Sequence, residues 1–128
     1  MGGFANNAPI VTDGLVFYVD AGNSKSYPGS GTTWYDMISG NVGTLYNGPT
    51  FDSANGGSID FDGSNDRTDF PTDSSFKPTG SMTLLVWAKG QTGASSVGLA
   101  GTLGASGNRG YLIGCNLSDF RFSIASNS

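Results

Sequence analysis

The stretch SMTLLVWAKG (81–90) is the least polar run of the chain and decides the predicted fold. Read with a period of two, it has one face with Met82, Leu84, Val86 and Ala88 and another with Thr83, Leu85, Trp87 and Lys89. Its β-branched and aromatic residues, and the Gly and Pro residues that flank it, favour a strand over a helix. Apolar side chains on both faces are typical of a strand that is covered on both sides. We therefore predict the central strand of a β-sandwich here.

Other short segments alternate in the same way and predict further strands around the central one. The clearest are GLVFYVD (14–20), SIDFD (58–62) and FRFSI (120–124), and the last of these predicts Phe120, Phe122 and Ile124 facing inward. Weaker candidates are 43–45, an edge strand at best, and 50–53, 67–70, 97–103 and 111–116. Asn55-Gly56-Gly57 indicates a tight turn, and WYDM (34–37) is expected to plug the sandwich from a loop. This pattern predicts an all-β, antiparallel β-sandwich of the jelly-roll type.

The amino-acid composition argues against several classes of partner, namely nucleic acids and membranes. The 128 residues include 21 glycines but no His or Glu, and all ten acidic residues are Asp, which favours turns over helices. Six scattered basic residues leave no cationic patch for nucleic acid, and no apolar run is long enough to cross a membrane. The N-terminus lacks the charged and apolar regions of a signal peptide. Residues 1–13 are predicted to be an arm, and 14–128 the folded domain.

Six segments taken together carry a family resemblance. They are GLVFYVDAGN (14–23), YPGSGTTWYD (27–36), SGN (39–41), GTLYNGPTF (43–51), SIDFDGSND (58–66) and MTLLVWAKG (82–90). Their order resembles the laminin-G-like jelly roll of the concanavalin A-like lectin/glucanase superfamily. The FDG-x-N-D turn followed by a T-x-x-x-W strand is the most specific part.

The resemblance implies a fold and a setting. The fold would be two antiparallel sheets, and the YPGSGTTWYD pattern is similar to virion proteins of tailed bacteriophages that decorate heads or form fibres and tails. Domains of this type run further than Ser128, so we expect either a shortened domain or strands supplied from elsewhere. An uncovered sheet edge needs a partner. We therefore expect a virion protein that contacts other subunits and forms a homo-oligomer.

The same superfamily contains glucanases, whose retaining chemistry needs two close carboxylates. Asp60 and Asp62 are the only formal candidates, and without Glu or His we expect no enzyme and no cofactor. Calcium is the one metal that the sequence suggests. Its oxygen ligands would come from Asp60, Asp62, Asn65 and Asp66. The alternative is that these residues form turns by bonding their own backbone.

Aromatic residues beside amides and acids are typical of a sugar-binding surface. The candidates are Trp34, Tyr35 and Tyr46, although a Trp such as Trp34 is more often a core residue than a binding platform. Two functions therefore remain. The first is a non-enzymatic structural or adhesive virion subunit, which the low charge favours, and the alternative is a carbohydrate-binding module that recognises surface glycans.

Overall fold

The computed structural model describes residues 10–89, 97–102, 110–115 and 119–125, and its strands form three antiparallel sheets. The strands are β1 (Thr33–Tyr35), β2 (Val42–Tyr46), β3 (Thr50–Asp52), β4 (Ser58–Asp60), β5 (Arg67–Asp69), β6 (Val97–Thr102), β7 (Gly110–Cys115) and β8 (Phe120–Ala125). The sheet orders are β1-β2-β5, β3-β4 and β6-β7-β8. Helix in the described residues is limited to single 3₁₀ turns at Ala54–Gly56 and Ser74–Phe76. The described chain is therefore β-rich, as the alternation predicts.

The β3–β4 hairpin confirms the predicted tight turn. Asn55 and Gly56 both have positive φ, 54° and 99°, which suits a turn of Asn and Gly. Phe51 pairs with Ile59 on the half-buried face, while the flanking acidic residues of both strands are exposed. The backbone also approaches another loop closely, since a Cβ on Gly22 would lie 2.0 Å from the carbonyl oxygen of Gly56. The hairpin therefore packs directly on the turn that contains Gly22.

Aromatic rings build the core beneath the first sheet. Phe17 packs edge-on against Phe70 and Phe76, with ring centroids 4.8 and 5.3 Å apart. Phe70 also lies over Gly43 in the middle strand, where a side chain would collide with the ring. Leu45, two residues further along the same strand, is almost completely buried. The inner face of the β1-β2-β5 sheet is thus closed by rings that come from outside it.

A buried carboxylate organises the connection between β1 and β2. Asp36 is only 3% exposed, and its Oδ1 accepts hydrogen bonds from the backbone N–H groups of Tyr18 and Ile38 at 2.9 and 3.0 Å. Its Oδ2 accepts from the N–H of Ser39 at 3.3 Å and from the hydroxyl of the same residue. A neighbouring hydroxyl plays a similar part, because the fully buried Ser26 donates to the carbonyl of Tyr35 at 2.7 Å.

The strand predicted at residues 14–20 is wrong, although its apolar residues do reach the core. Tyr18 bonds Asp36 through its N–H and accepts a hydrogen bond from the N–H of Met37 at 2.9 Å. A side-chain carboxylate therefore takes the place of a neighbouring strand. Two further predictions are corrected nearby: residues 43–45 belong to the middle strand of a sheet rather than to an edge, and residues 34–35 of WYDM lie in β1.

The central strand predicted at residues 81–90 is also wrong as a strand, with Gly90 outside the described residues. Within the described chain, no backbone hydrogen bond involves residues 81–89. The period of two survives, because Met82, Leu84 and Val86 are half-buried. The opposite face is open: Leu85 is 87% and Trp87 99% exposed. The alternation of the sequence correctly separated the two faces of this segment, but it did not show that the face with Leu85 and Trp87 is exposed.

The inward face predicted for β8 is likewise wrong. This strand is at the edge of its sheet and pairs with β7, with Phe122 opposite Ile113. Its apolar side chains Phe120, Phe122 and Ile124 are all exposed by more than half.

The predicted N-terminal arm is described only in part. Residues 1–9 lie outside the described part of the chain, and Ile10 and Val11 are exposed.

Gly43→Ala should destabilise the fold because the new Cβ would lie 2.5 Å from the Phe70 ring. Phe70 would have to leave its contact with Phe17, and overpacking of this kind costs about 1–3 kcal/mol. Urea denaturation followed by circular dichroism would measure the loss. Gly80→Ala is the matched control, since nothing lies within 4 Å of that position. Equal stability of the two variants would contradict this account of the core.

Candidate functional site

The outer face of the β1-β2-β5 sheet carries the best-formed group of polar and aromatic side chains. Alternation along β2 buries Gly43 and Leu45 and exposes the residues between and beside them. The register then fixes which neighbours share the outer face. Its members are Thr33, Tyr35, Val42, Thr44, Tyr46, Arg67 and Asp69. We call this set the tyrosine face.

Arg67 and Tyr46 form the most ordered part of the tyrosine face. The guanidinium lies over the Tyr46 ring, 4.5 Å from its centroid, and Nε donates to Asp69 Oδ2 at 2.9 Å. The Arg67 and Asp69 side chains are 55% and 53% exposed, so solvent screens the pair and its contribution to stability is small. Its consequence is positional, since the guanidinium is held flat on an aromatic ring with other N–H donors facing solvent.

A loop contact fixes the end of the same face. Asn47 has a positive φ of 71°, and its side-chain amide donates to the carbonyl of Asn65 at 2.6 Å. This bond joins the turn after β2 to the loop before β5, so Tyr46 and Arg67 are held side by side from both ends. Tyr35 lies opposite Val42, four residues before Tyr46, which separates the two tyrosines by about 13 Å along the strand.

The structure divides the predicted sugar-binding residues between two faces. Tyr35 and Tyr46 share the outer face and are 44% and 41% exposed. Trp34 points to the inner face, tilted against Phe70 with ring centroids 6.4 Å apart. Its indole N–H is buried, and no acceptor among the described residues bonds to it. Trp34 is therefore a core residue and does not belong to the tyrosine face.

Sequence reasoning missed Arg67, Thr44 and Asp69 as members of this face. Their alternation was visible in the sequence, but the pairing of β2 with β5 places them there, and that pairing crosses more than twenty residues. They could have been found by identifying which alternate residues of each short strand face solvent and by placing the strands in the correct order.

The acidic cluster predicted for calcium is used by the backbone. Asp62 Oδ1 accepts from the N–H groups of Ser64 and Asn65 at 2.8 and 3.3 Å, and Asp66 Oδ2 accepts from the N–H of Asp62 at 3.0 Å. Asp60 lies on the exposed side of β4. Across the described ranges, no three His, Cys, Asp or Glu side chains are grouped to hold a metal ion. The calcium site stays a prediction, and the observed contacts are those of turn-forming residues.

An open groove of about 410 Å³ marks the third sheet. It is lined by Leu84, Ile113, Phe120, Arg121 and Phe122. Leu84 comes from the extended segment, and the other four come from β7 and β8. The lining is mainly apolar and lacks a carboxylate, so the groove offers contact area without an acid or base.

Comparison with known proteins places no relative beside this chain: no family model, curated protein or solved structure matches it. The described residues also contain no helix with the length and apolar character needed to span a membrane. Evidence about function therefore comes from the surfaces just described.

Asp62→Asn should make stability less sensitive to acid. The Ser64 N–H, then those of Asn65 and Asp66, hold the Asp62 pKa below its ordinary value of 3.8. A lowered folded-state pKa adds stability above the unfolded value, and this is lost as pH falls through the folded value. Asparagine keeps an acceptor but does not titrate. Melting temperatures between about pH 7 and pH 2 should therefore fall less for the variant than for the wild type; parallel curves would contradict the assignment.

Proposed function

We propose that this chain is a non-enzymatic structural or adhesive subunit of a virion, folded as a laminin-G-like jelly-roll sandwich that contacts other subunits. Exposed apolar side chains are the observation that carries the proposal. Five that are more than half exposed lie on two parts of the chain, Leu85 and Trp87 on the extended segment and Phe120, Phe122 and Ile124 on β8. Isolated exposed apolar residues are ordinary on protein surfaces, but clusters on one segment and one edge strand are typical of contact sites.

Charge supports the same function. Only 12% of the residues are charged, and Lys89, Asp119 and Arg121 are the charges nearest to these apolar clusters along the chain. Protein interfaces are depleted in charge at their centres and enriched in aromatic residues; residues 82–88 match both properties, and the β8 cluster matches the second. The tailed-phage setting rests on the resemblance of the YPGSGTTWYD (27–36) segment.

An antibody raised against the chain should detect it in purified tailed-phage particles from a lysate that carries the gene. A structural subunit should remain after washing in high salt, because apolar contacts are not screened by ions. Mass spectrometry of the particles should give a constant copy number per particle. Presence in the lysate but not in washed particles would contradict the virion assignment.

A second candidate is binding of surface glycans by the tyrosine face. The favouring observation is that Tyr35 offers an exposed ring on the same face as the hydroxyls of Thr33 and Thr44, while the fixed guanidinium of Arg67 lies at the other end of that face. Sugars combine apolar ring faces with hydroxyl groups, so this mixture of aromatic surface, donors and acceptors suits them. The Tyr46 ring is covered on one side by Arg67, and its role would be to hold that guanidinium.

Tyr35→Ala should weaken binding of any glycan found on an array by about tenfold, which corresponds to about 1.4 kcal/mol. Tyr46→Ala should weaken it as well by releasing Arg67. Phe120→Ala removes an equally accessible ring from the third sheet and is the matched control, expected to bind normally. Titration calorimetry with the array-selected glycan measures all three, and equal loss in the control would assign the binding elsewhere.

A further inference from the structure

Within the described part of the chain, the extended segment at residues 82–88 has no neighbour that pairs with its backbone. Its side chains alternate as in a strand, yet no backbone hydrogen bond joins it to the described remainder of the chain. Backbone N–H and C=O groups that make no such bonds are available to pair with another strand. Leu84 already faces the groove beside β8, so the inner side has a surface to rest on. Leu85 and Trp87 are left outside.

The composition of this segment specifies the chemistry of the missing neighbour. MTLLVWA contains no charge, no Pro and no Gly, and it combines β-branched, aromatic and aliphatic residues. Such runs pair readily with another extended strand, particularly one of the same composition. A globular surface would cover Trp87 but leave the peptide groups unpaired, whereas an added strand pairs the peptide groups and places cross-strand side chains beside Trp87.

We propose that residues 82–88 form a β-strand by antiparallel pairing with the same segment of a second copy of this chain, an inference that rests on the proposed contact function. The charge pattern selects the direction of the pairing. Lys89 is the one charged residue of residues 81–89, and it lies at the end of the segment. Antiparallel pairing about a two-fold axis sends the two Lys89 side chains to opposite ends, opposite Ser81 or Thr83. Parallel pairing in register would place the two ammonium groups side by side.

The area available sets the strength of the contact. Trp87 offers about 200 Å², and with Leu85 each copy contributes roughly 300–400 Å² of apolar side chain. A standard interface buries about 800 Å² per partner, so the pair belongs to the weak, reversible class. Association should therefore depend on concentration in the micromolar range rather than produce a permanent dimer.

Sedimentation equilibrium of the full chain from about 1 to 300 μM should show a monomer–dimer equilibrium. Hydrogen exchange at residues 81–89 should slow as concentration rises, since pairing protects backbone N–H groups. Trp87 fluorescence should shift to the blue over the same range, with Trp87→Phe subtracting the contribution of Trp34. Monomer at every concentration would overturn the proposal, and so would association without slower exchange in this segment.

Lysine substitutions locate the contact. Leu85→Lys should weaken association by at least tenfold, because the register that places Lys89 opposite Ser81 sets the two new ammonium groups directly opposite each other. Trp87→Lys should weaken it comparably, because it removes the aromatic ring from the contact. Phe120→Lys is the matched control at an equally exposed position on β8 and should associate normally. Loss of association in the control but not in Leu85→Lys would place the contact on β8 and overturn the proposal. Melting curves confirm that each variant is folded.

The two proposals fail in different ways. A chain that is monomeric alone but present in washed particles overturns self-pairing and leaves the virion function standing. A chain that dimerises through residues 82–88 but is absent from particles overturns the virion function and leaves the pairing standing.

Discussion

The buried carboxylate of Asp36 is the constraint on which the first sheet depends. A charge removed from water must be satisfied by donors or by an opposite charge, and here four hydrogen bonds from Tyr18, Ile38 and Ser39 supply that need. Those bonds fix the turn between β1 and β2. The turn fixes the register of Tyr35 against Val42, and through it the assignment of every side chain to the inner or the outer face.

The division of aromatic residues follows from that register. A slip of one residue would exchange the faces, placing Trp34 in solvent and Tyr35 against Phe70. As observed, Trp34 joins the rings of the core, while Tyr35 and the Tyr46–Arg67 stack remain available outside. The composition of the tyrosine face therefore depends on an acid that is not one of its members.

Features that depend on a few adjacent residues could be predicted from the sequence, whereas contacts between distant residues could not. The Asn55-Gly56 turn, the alternation of Ile59 and Phe61 and the strands near 50, 67, 97, 111 and 120 could be identified from a few adjacent residues. The tyrosine face could not, because it needs the pairing of β2 with β5. Residues 14–20 were misassigned for a related reason: their apolar pattern is real, but a carboxylate eighteen residues away occupies the strand position.

The segment at residues 82–88 shows why alternation cannot identify a neighbour. A strand with two apolar faces has the same sequence whether its second face meets its own domain or another molecule. What distinguishes these cases is the fate of the peptide groups, and in the described chain those of residues 81–89 are unpaired. Exposure of Leu85 and Trp87 therefore has a consequence beyond hydrophobicity. In the proposed self-pairing, the partner strand supplies backbone donors and acceptors as well as apolar contact, which a flat apolar surface would not do.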